Sequence, residues 1–350
     1  MANEKLTDLT EISVPATDDW LYIVDKSDTT DDTAGSSRKI TVERALANMF
    51  PVTFEARLTT ETGVPISTAD RTAQGTIYVT PINSGRVCLY DGTRWKMYVL
   101  TEKSLALSAL TTDKNYDVFL YDNAGTLTVE LSAAWSSDTA RTDALTTQDG
   151  ILVKSGSTTR RYVGTIRTTS TTTTEDSLAK RFVWNMYNRT RKAMKRTETT
   201  DGWTYDTGTF RQANAATANQ LDYVCGVADV LVEATVRASW AANPAVAVVS
   251  NATPYERVVG VGVDSTTTSS AQVANVSHGM TDDNTNTLNI AAGAPTAEYR
   301  GYPGLGRHKL VWLERGGGGE DETTLWFGDV AFNSGSGTGV HNGISGWYEG

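Results

Sequence analysis

The residue types that carry most enzyme chemistry are scarce in this chain. His278, His308 and His341 are its only histidines, and none stands in an HxxxH, HExxH or HxH spacing. The usual transition-metal sites and imidazole acid–base pairs therefore have little to be built from. Cys88 and Cys225 are the only cysteines and lie far apart in strand-like surroundings. That fits small buried hydrophobes and argues against a disulfide framework, a CxxC redox pair or a cysteine zinc site. Ser/His/Asp hydrolysis would need a strained serine elbow, and no GxSxG occurs. Paired-carboxylate glycoside cleavage stays open, because 41 acidic residues always offer pairs. The coils of a depolymerase β-helix, with a fixed period of roughly 20 to 30 residues, are missing.

Two further patterns suggest ligands and read better as loops. Gly316, Gly317, Gly318 and Gly319, and then Gly335, Gly337 and Gly339, have neither a terminal Gly-Lys-Ser/Thr nor a following helix to present amides to a phosphate. They read as flexible or contact-forming loops. Asp282, Asn284 and Asn286 alternate like the start of a calcium loop, but Thr287 replaces its glycine and Gly293 its bidentate glutamate. A solvated hairpin turn fits better. No catalytic residue, metal ligand or cofactor is assigned, and the expectation is a protein that is not an enzyme.

Lys and Arg number 31 against 41 Asp and Glu, a net charge of −10, which argues against general affinity for nucleic acid or an anionic membrane. A local basic patch remains open. No apolar run reaches the roughly eighteen residues a membrane span needs, and the start is polar without a signal-peptide core. Membrane insertion is not expected, and the chain is expected to be made and kept in solution. Threonine dominates the composition and favours strands.

The elements fall into four segments, residues 1–48, 49–100, 101–196 and 197–350. In the first, Trp20, Leu21, Tyr22, Ile23 and Val24 lie between aspartates and predict one strand. Residues 27–37 are a polar loop without the apolar surface to order itself. Residues 42–47, Leu46 among them, predict a short helix capped by Thr41, with Ile40 placed as a hydrophobic staple. This segment buries too little to fold alone. Trp20, Leu21, Ile23, Val24, Ile40 and Leu46 are therefore expected to order against another subunit or a partner.

The second segment predicts strands at 76–80, 86–90 and 95–100, the last two joined by Asp91-Gly92, a strong hairpin signal. The third predicts strands at 116–121 and 127–131 around Asn123-Ala124-Gly125, then at 151–153 and 161–167, in a sheet covered on both faces. Leu178, Phe182, Val183, Met186, Tyr187 and Met194 follow Glu175 and Asp176 at helical spacing and predict one long helix over 175–196. Its basic end, Arg189, Arg191, Lys192, Lys195 and Arg196, reads as a solvated face or an interchain salt-bridge row ahead of a nucleic-acid surface. The fourth predicts strands at 230–238, 245–250, 256–264, 308–315 and 323–327, the spacing of a β-sandwich or jelly roll. It is rich in aromatics, most of its tryptophans being expected in the core. Tyr299, Arg300 and Tyr302, read as a Gly/Pro loop, are suited to contact a sugar or protein receptor.

The stretch DDWLYIVDKSDTTDDTAGSSRKIT, residues 18–41, resembles the N-terminal virion-attachment segment of tailed-phage tail fibre and tail-tip proteins. From residue 76 onward the chain, including KNYDVFLYDNAGTLTVEL, QDGILVKSG, TRRYVGTIRTT and EDSLAKRFVWNMYNR, is similar to a module of phage structural proteins. The resemblance spans about residues 15–195 and leaves 200–350 uncovered. It implies a virion protein: an elongated homotrimer held to phage adaptor, portal or tail proteins by its N-terminus, with an exposed head meeting a host surface glycan or protein. A capsid-surface fibre or decoration protein is the alternative within that class, and a tailspike-like glycan hydrolase the alternative outside it. The resemblance implies no catalytic residues.

Overall fold

The computed structural model describes residues 16, 18–242, 255–275, 277–279, 292–317, 324–329 and 341–350. The strand expected at 245–250, the turn at Asp282, Asn284 and Asn286, and Gly318, Gly319, Gly335, Gly337 and Gly339 lie outside these residues. The protein is mainly β, its strands pair almost entirely antiparallel, and one α-helix, Val42–Met49, stands among the described residues.

Alternating apolar residues and turn glycines build the strands much as the sequence predicts. Arg86–Tyr90 pairs with Trp95–Val99 around Asp91-Gly92, where Gly92 takes a φ of +100° and the Asp91 carboxylate accepts from the Thr93 and Arg94 amides. Asn115–Asn123 and Thr126–Leu131 form the next hairpin. Together with Ser157–Arg167, Ile151–Lys154, Leu145–Gln148 and Val183–Asn185 they make a six-stranded sheet. Val118 and Leu120 enter one apolar cluster while Phe119 enters another, so this sheet is covered on both faces as expected.

The long helix expected over 175–196 does not form. The segment is instead four strands, Thr174–Asp176, Lys180–Arg181, Val183–Asn185 and Arg191–Thr197, in three different sheets. Phe182, Val183 and Trp184 are buried consecutively, which a helix with one apolar stripe cannot achieve. Three of its charges are absorbed inside the fold as well. Asp176 binds Arg181 at 3.1 Å and Lys192 at 2.7 Å, and Lys192 also donates to the Val183 carbonyl. The helical spacing of the apolar residues was coincidental, and partners distant in sequence decided the outcome.

Those partners assemble the remaining sheets. Arg191–Thr197 pairs with Gly343–Glu349, which continues to Val232–Arg237, Thr296–Gly301 and Val273–Asn275. An eight-stranded sheet has Tyr255–Val263, Gly306–Arg315 and Gln220–Cys225 at its centre. Tyr348, Ile344, Val232 and Val236 of the first and Val261, Leu310, Trp312 and Leu221 of the second share one apolar cluster. Both cysteines are free and buried.

One buried acid in this cluster sets a pH dependence. Glu314 is fully buried and accepts from Trp203 Nε1 at 2.7 Å, Arg211 Nε at 2.8 Å and the Asn214 amide at 3.1 Å. Burial outweighs these donors and pushes its carboxyl up to about 6. The folded state thus holds its proton more tightly than the unfolded chain, so the stability from this group is present below the unfolded value and is lost as pH rises through 6. The stability difference between wild type and Glu314→Gln should shift by about 2 kcal/mol against wild type from pH 4 to pH 7. Denaturant unfolding across that range checks it, and a constant difference would refute it.

Candidate functional site

The strand Trp20–Asp25 pairs in register with Ser36–Thr41, from Trp20↔Thr41 to Asp25↔Ser36, as an isolated two-stranded ribbon. The second strand was not foreseen. The loop between them, expected to lack order of its own, is bound by its own polar groups. Arg38 forks to Asp28 and Asp31, the Ser36 amide donates to the Asp28 carbonyl at 2.7 Å, and Asp25 accepts from Ser27. Hydrogen bonds from Thr30 and Arg38 hold the Asp28 carboxyl well below the usual range. Gly35, at φ +122°, closes the loop where a Cβ would fall 2.8 Å from the Asp25 carbonyl oxygen. Hydrogen bonding here replaces the apolar burial that the loop lacks.

What this loop positions is an apolar surface. Strand alternation places Trp20, Tyr22 and Val24 on one face of the ribbon, and Leu21, Ile23 and the cross-strand neighbour Ile40 on the other. Trp20 is 58% exposed, Tyr22 74% and Val24 56%. Leu21 and Ile23 remain exposed too, and Lys39 stands 3.9 Å from the Trp20 ring. Thr41 caps the helix as expected, its hydroxyl accepting from the Arg44 amide. Leu46 on that helix is exposed, and Ala47 is buried with Cys88, Trp95 and Ile151 of the body. Trp20, Leu21, Ile23, Val24, Ile40 and Leu46 thus belong to the ribbon and the helix that directly follows it. Sequence reasoning left out Tyr22, Met49, Phe50 and Val52, all exposed; the alternation itself signalled Tyr22.

The helix joins the body through Arg161, which is 1% exposed and has no carboxylate partner among the described residues. Its Nη1 donates to the carbonyls of Pro51, Thr53 and Cys88, its Nη2 to Val52 and its Nε to the Tyr187 hydroxyl. Phe54 and Tyr187 lie against its plane at 5.0 and 4.5 Å. One guanidinium therefore ties down the connection leading out of the ribbon.

The second expected site is only partly assembled. Tyr299 and Arg300 lie within the strand Thr296–Gly301, not in a loop, and Tyr302 follows it. Tyr299 is half-buried and packs on the core, Arg300 is held by Glu233 at 3.0 Å, and Tyr302 is 64% exposed. Alternation sends Tyr299 and Arg300 to opposite faces, so the three do not form one patch. Gly316 is buried, and a Cβ there would lie 2.4 Å from Asp206 Cα, so it is a close approach and not free loop. Trp203, Trp312 and Trp326 are buried as expected, while Trp347 is half-exposed.

The fold and its surfaces define a mainly β protein with antiparallel sheets and a separate two-stranded ribbon that exposes apolar side chains. No protein-family model matches the chain, and no curated protein matches it. Among solved structures, a tryptic core variant of Bacillus thuringiensis Cry1Da shares 6% identity and a TM-score of 0.16, over 75% of this chain. The chain spans about half the length of that structure, 50%, and so slight a likeness carries no argument.

Proposed function

We propose that this chain is a structural protein of a tailed-bacteriophage particle, a trimeric fibre anchored by its N-terminal ribbon to the tail or head-to-tail region. Its C-terminal part is a jelly-roll-like β-sandwich head that contributes to host attachment. The observation that carries this reading is the ribbon with apolar side chains on both faces. A two-stranded ribbon is marginal in water, and one that is apolar on both sides needs cover on both. The resemblance of residues 18–41 to virion-attachment segments supplies the kind of partner. The protein acts by binding and mechanical linkage, without catalysis.

A mass measurement in solution tests the assembly. The expected species at micromolar concentration is three chains, and a monodisperse monomer would overturn the trimer. Incubation with bacterial polysaccharides should release no reducing sugar; steady release would turn the reading toward a glycan hydrolase.

A further inference from the structure

The five-stranded sheet that begins with Arg191–Thr197 has an outer face which the reading above does not use. Met194, Tyr348, Val232 and Val236 point into the core, so the alternate residues of their strands point outward. The register sets Ala193 beside Trp347 and Lys195 beside Ser345, with Thr235 next in that row. The Arg191 guanidinium lies 3.7 Å from the Trp347 ring centroid. Glu349 stands directly across from Arg191, yet no ion pair joins them. Among the described residues neither Arg191 nor Lys195 has a carboxylate within ion-pair distance, and the Arg191 side chain makes no hydrogen bond.

We propose that Arg191, Lys195 and Trp347 form a binding site for an acidic polysaccharide whose sugars carry carboxylates. Stacking on Trp347 holds the guanidinium flat and uses none of its N–H donors. A carboxylate can then be met by a preorganised fork instead of a freely rotating chain. Lys195 is four residues along the same edge strand, about 13 Å away, and offers a second cation on the same side. Ala193 between them keeps the floor low beside Trp347, and Ser345 and Thr235 in the row of Lys195 offer hydroxyls to neutral sugar hydroxyls. Two cations some four residues apart, flanked by Glu349 and Glu233, are too few for a nucleic-acid backbone, which needs a longer basic track. On a chain of net charge −10, polyanion binding requires such a local arrangement.

The proposal rests on the reading of the C-terminal strands as an attachment surface, and two measurements separate them. In affinity electrophoresis of the full chain, alginate in the gel should retard migration while dextran should not. Arg191→Ala with Lys195→Ala should weaken retardation at least tenfold. Arg191→Lys, which keeps the charge and loses the stack, should fall between. No retardation by alginate, equal retardation of the double variant, or equal retention by single-stranded DNA would overturn the site. Circular dichroism of the double variant should match wild type, since both side chains are on the outer face. Alginate binding by a chain that adsorbs to none of a panel of encapsulated bacteria would support the site and overturn the attachment reading.

Discussion

Replacing Tyr22 with Asp on one face of the ribbon, or Ile23 with Asp on the other, should leave the protein folded and abolish its incorporation into phage particles. Both side chains are exposed in the isolated chain, so a polar replacement opens no cavity there, and the melting temperature should move by no more than about 2 °C. In the assembled particle each face would be covered, and a carboxylate sealed without a partner costs several kcal/mol, enough to remove binding. Complementation of fibre-deficient phage, scored by the fibre content of purified particles, measures the effect. Normal incorporation of both variants would place attachment elsewhere. A deletion serves as a second test, provided it stops before Thr41. Ala47 is buried against Trp95 and Ile151, so a cut through residue 48 would also open the body. Loss of residues 1–40 should spare the fold and remove incorporation.

Arg161→Ala should be the most destabilising single change in the N-terminal half, by about 3 to 5 kcal/mol. It removes the guanidinium donor from the carbonyls of Pro51, Val52 and Cys88 and from the Tyr187 hydroxyl, leaves the Thr53 carbonyl with the Cys88 amide alone, and empties the space beneath Phe54. Arg161→Lys should cost less, since an ammonium can satisfy up to three of these acceptors. Denaturant unfolding gives the magnitudes. Limited proteolysis locates the effect, because cleavage near residues 50–53 should accelerate in the alanine variant before the body unfolds. An unchanged unfolding midpoint would mean that water replaces the guanidinium and that the joint is not built on it. If the joint matters to the fibre, Arg161→Lys should also reduce incorporation while preserving the ribbon itself.

The local features were legible wherever neighbouring residues decide the structure. Asp91-Gly92 and Asn123-Ala124-Gly125 announced their hairpins because Gly92 and Gly125 take positive φ at little cost. Thr41 announced its helix because a hydroxyl at that position satisfies an otherwise free amide. The apolar run from Trp20 to Val24 marked a surface in need of cover, since the acidic and polar residues around it offer none. Three outcomes depended on residues far away in the chain. Residues 175–196 carry apolar groups at helical spacing, yet pairing with Gly343–Glu349, Gln220–Cys225 and Ser157–Arg167 drew them into strands, because covering both faces buries more than one helical stripe can. Arg161 looked like any strand arginine, and only the folding of 51–54 and Cys88 around it revealed a joint. Tyr299 and Arg300 looked adjacent and cooperative, but strand alternation parted them. By itself the sequence determined the β class, the turns, the helix cap and the apolar strand from Trp20 to Val24, all of which are set by short-range sterics and hydrogen bonding. The tertiary structure decided which strands meet, which charges are buried and which aromatics face water, because those follow from long-range pairing that no local pattern encodes.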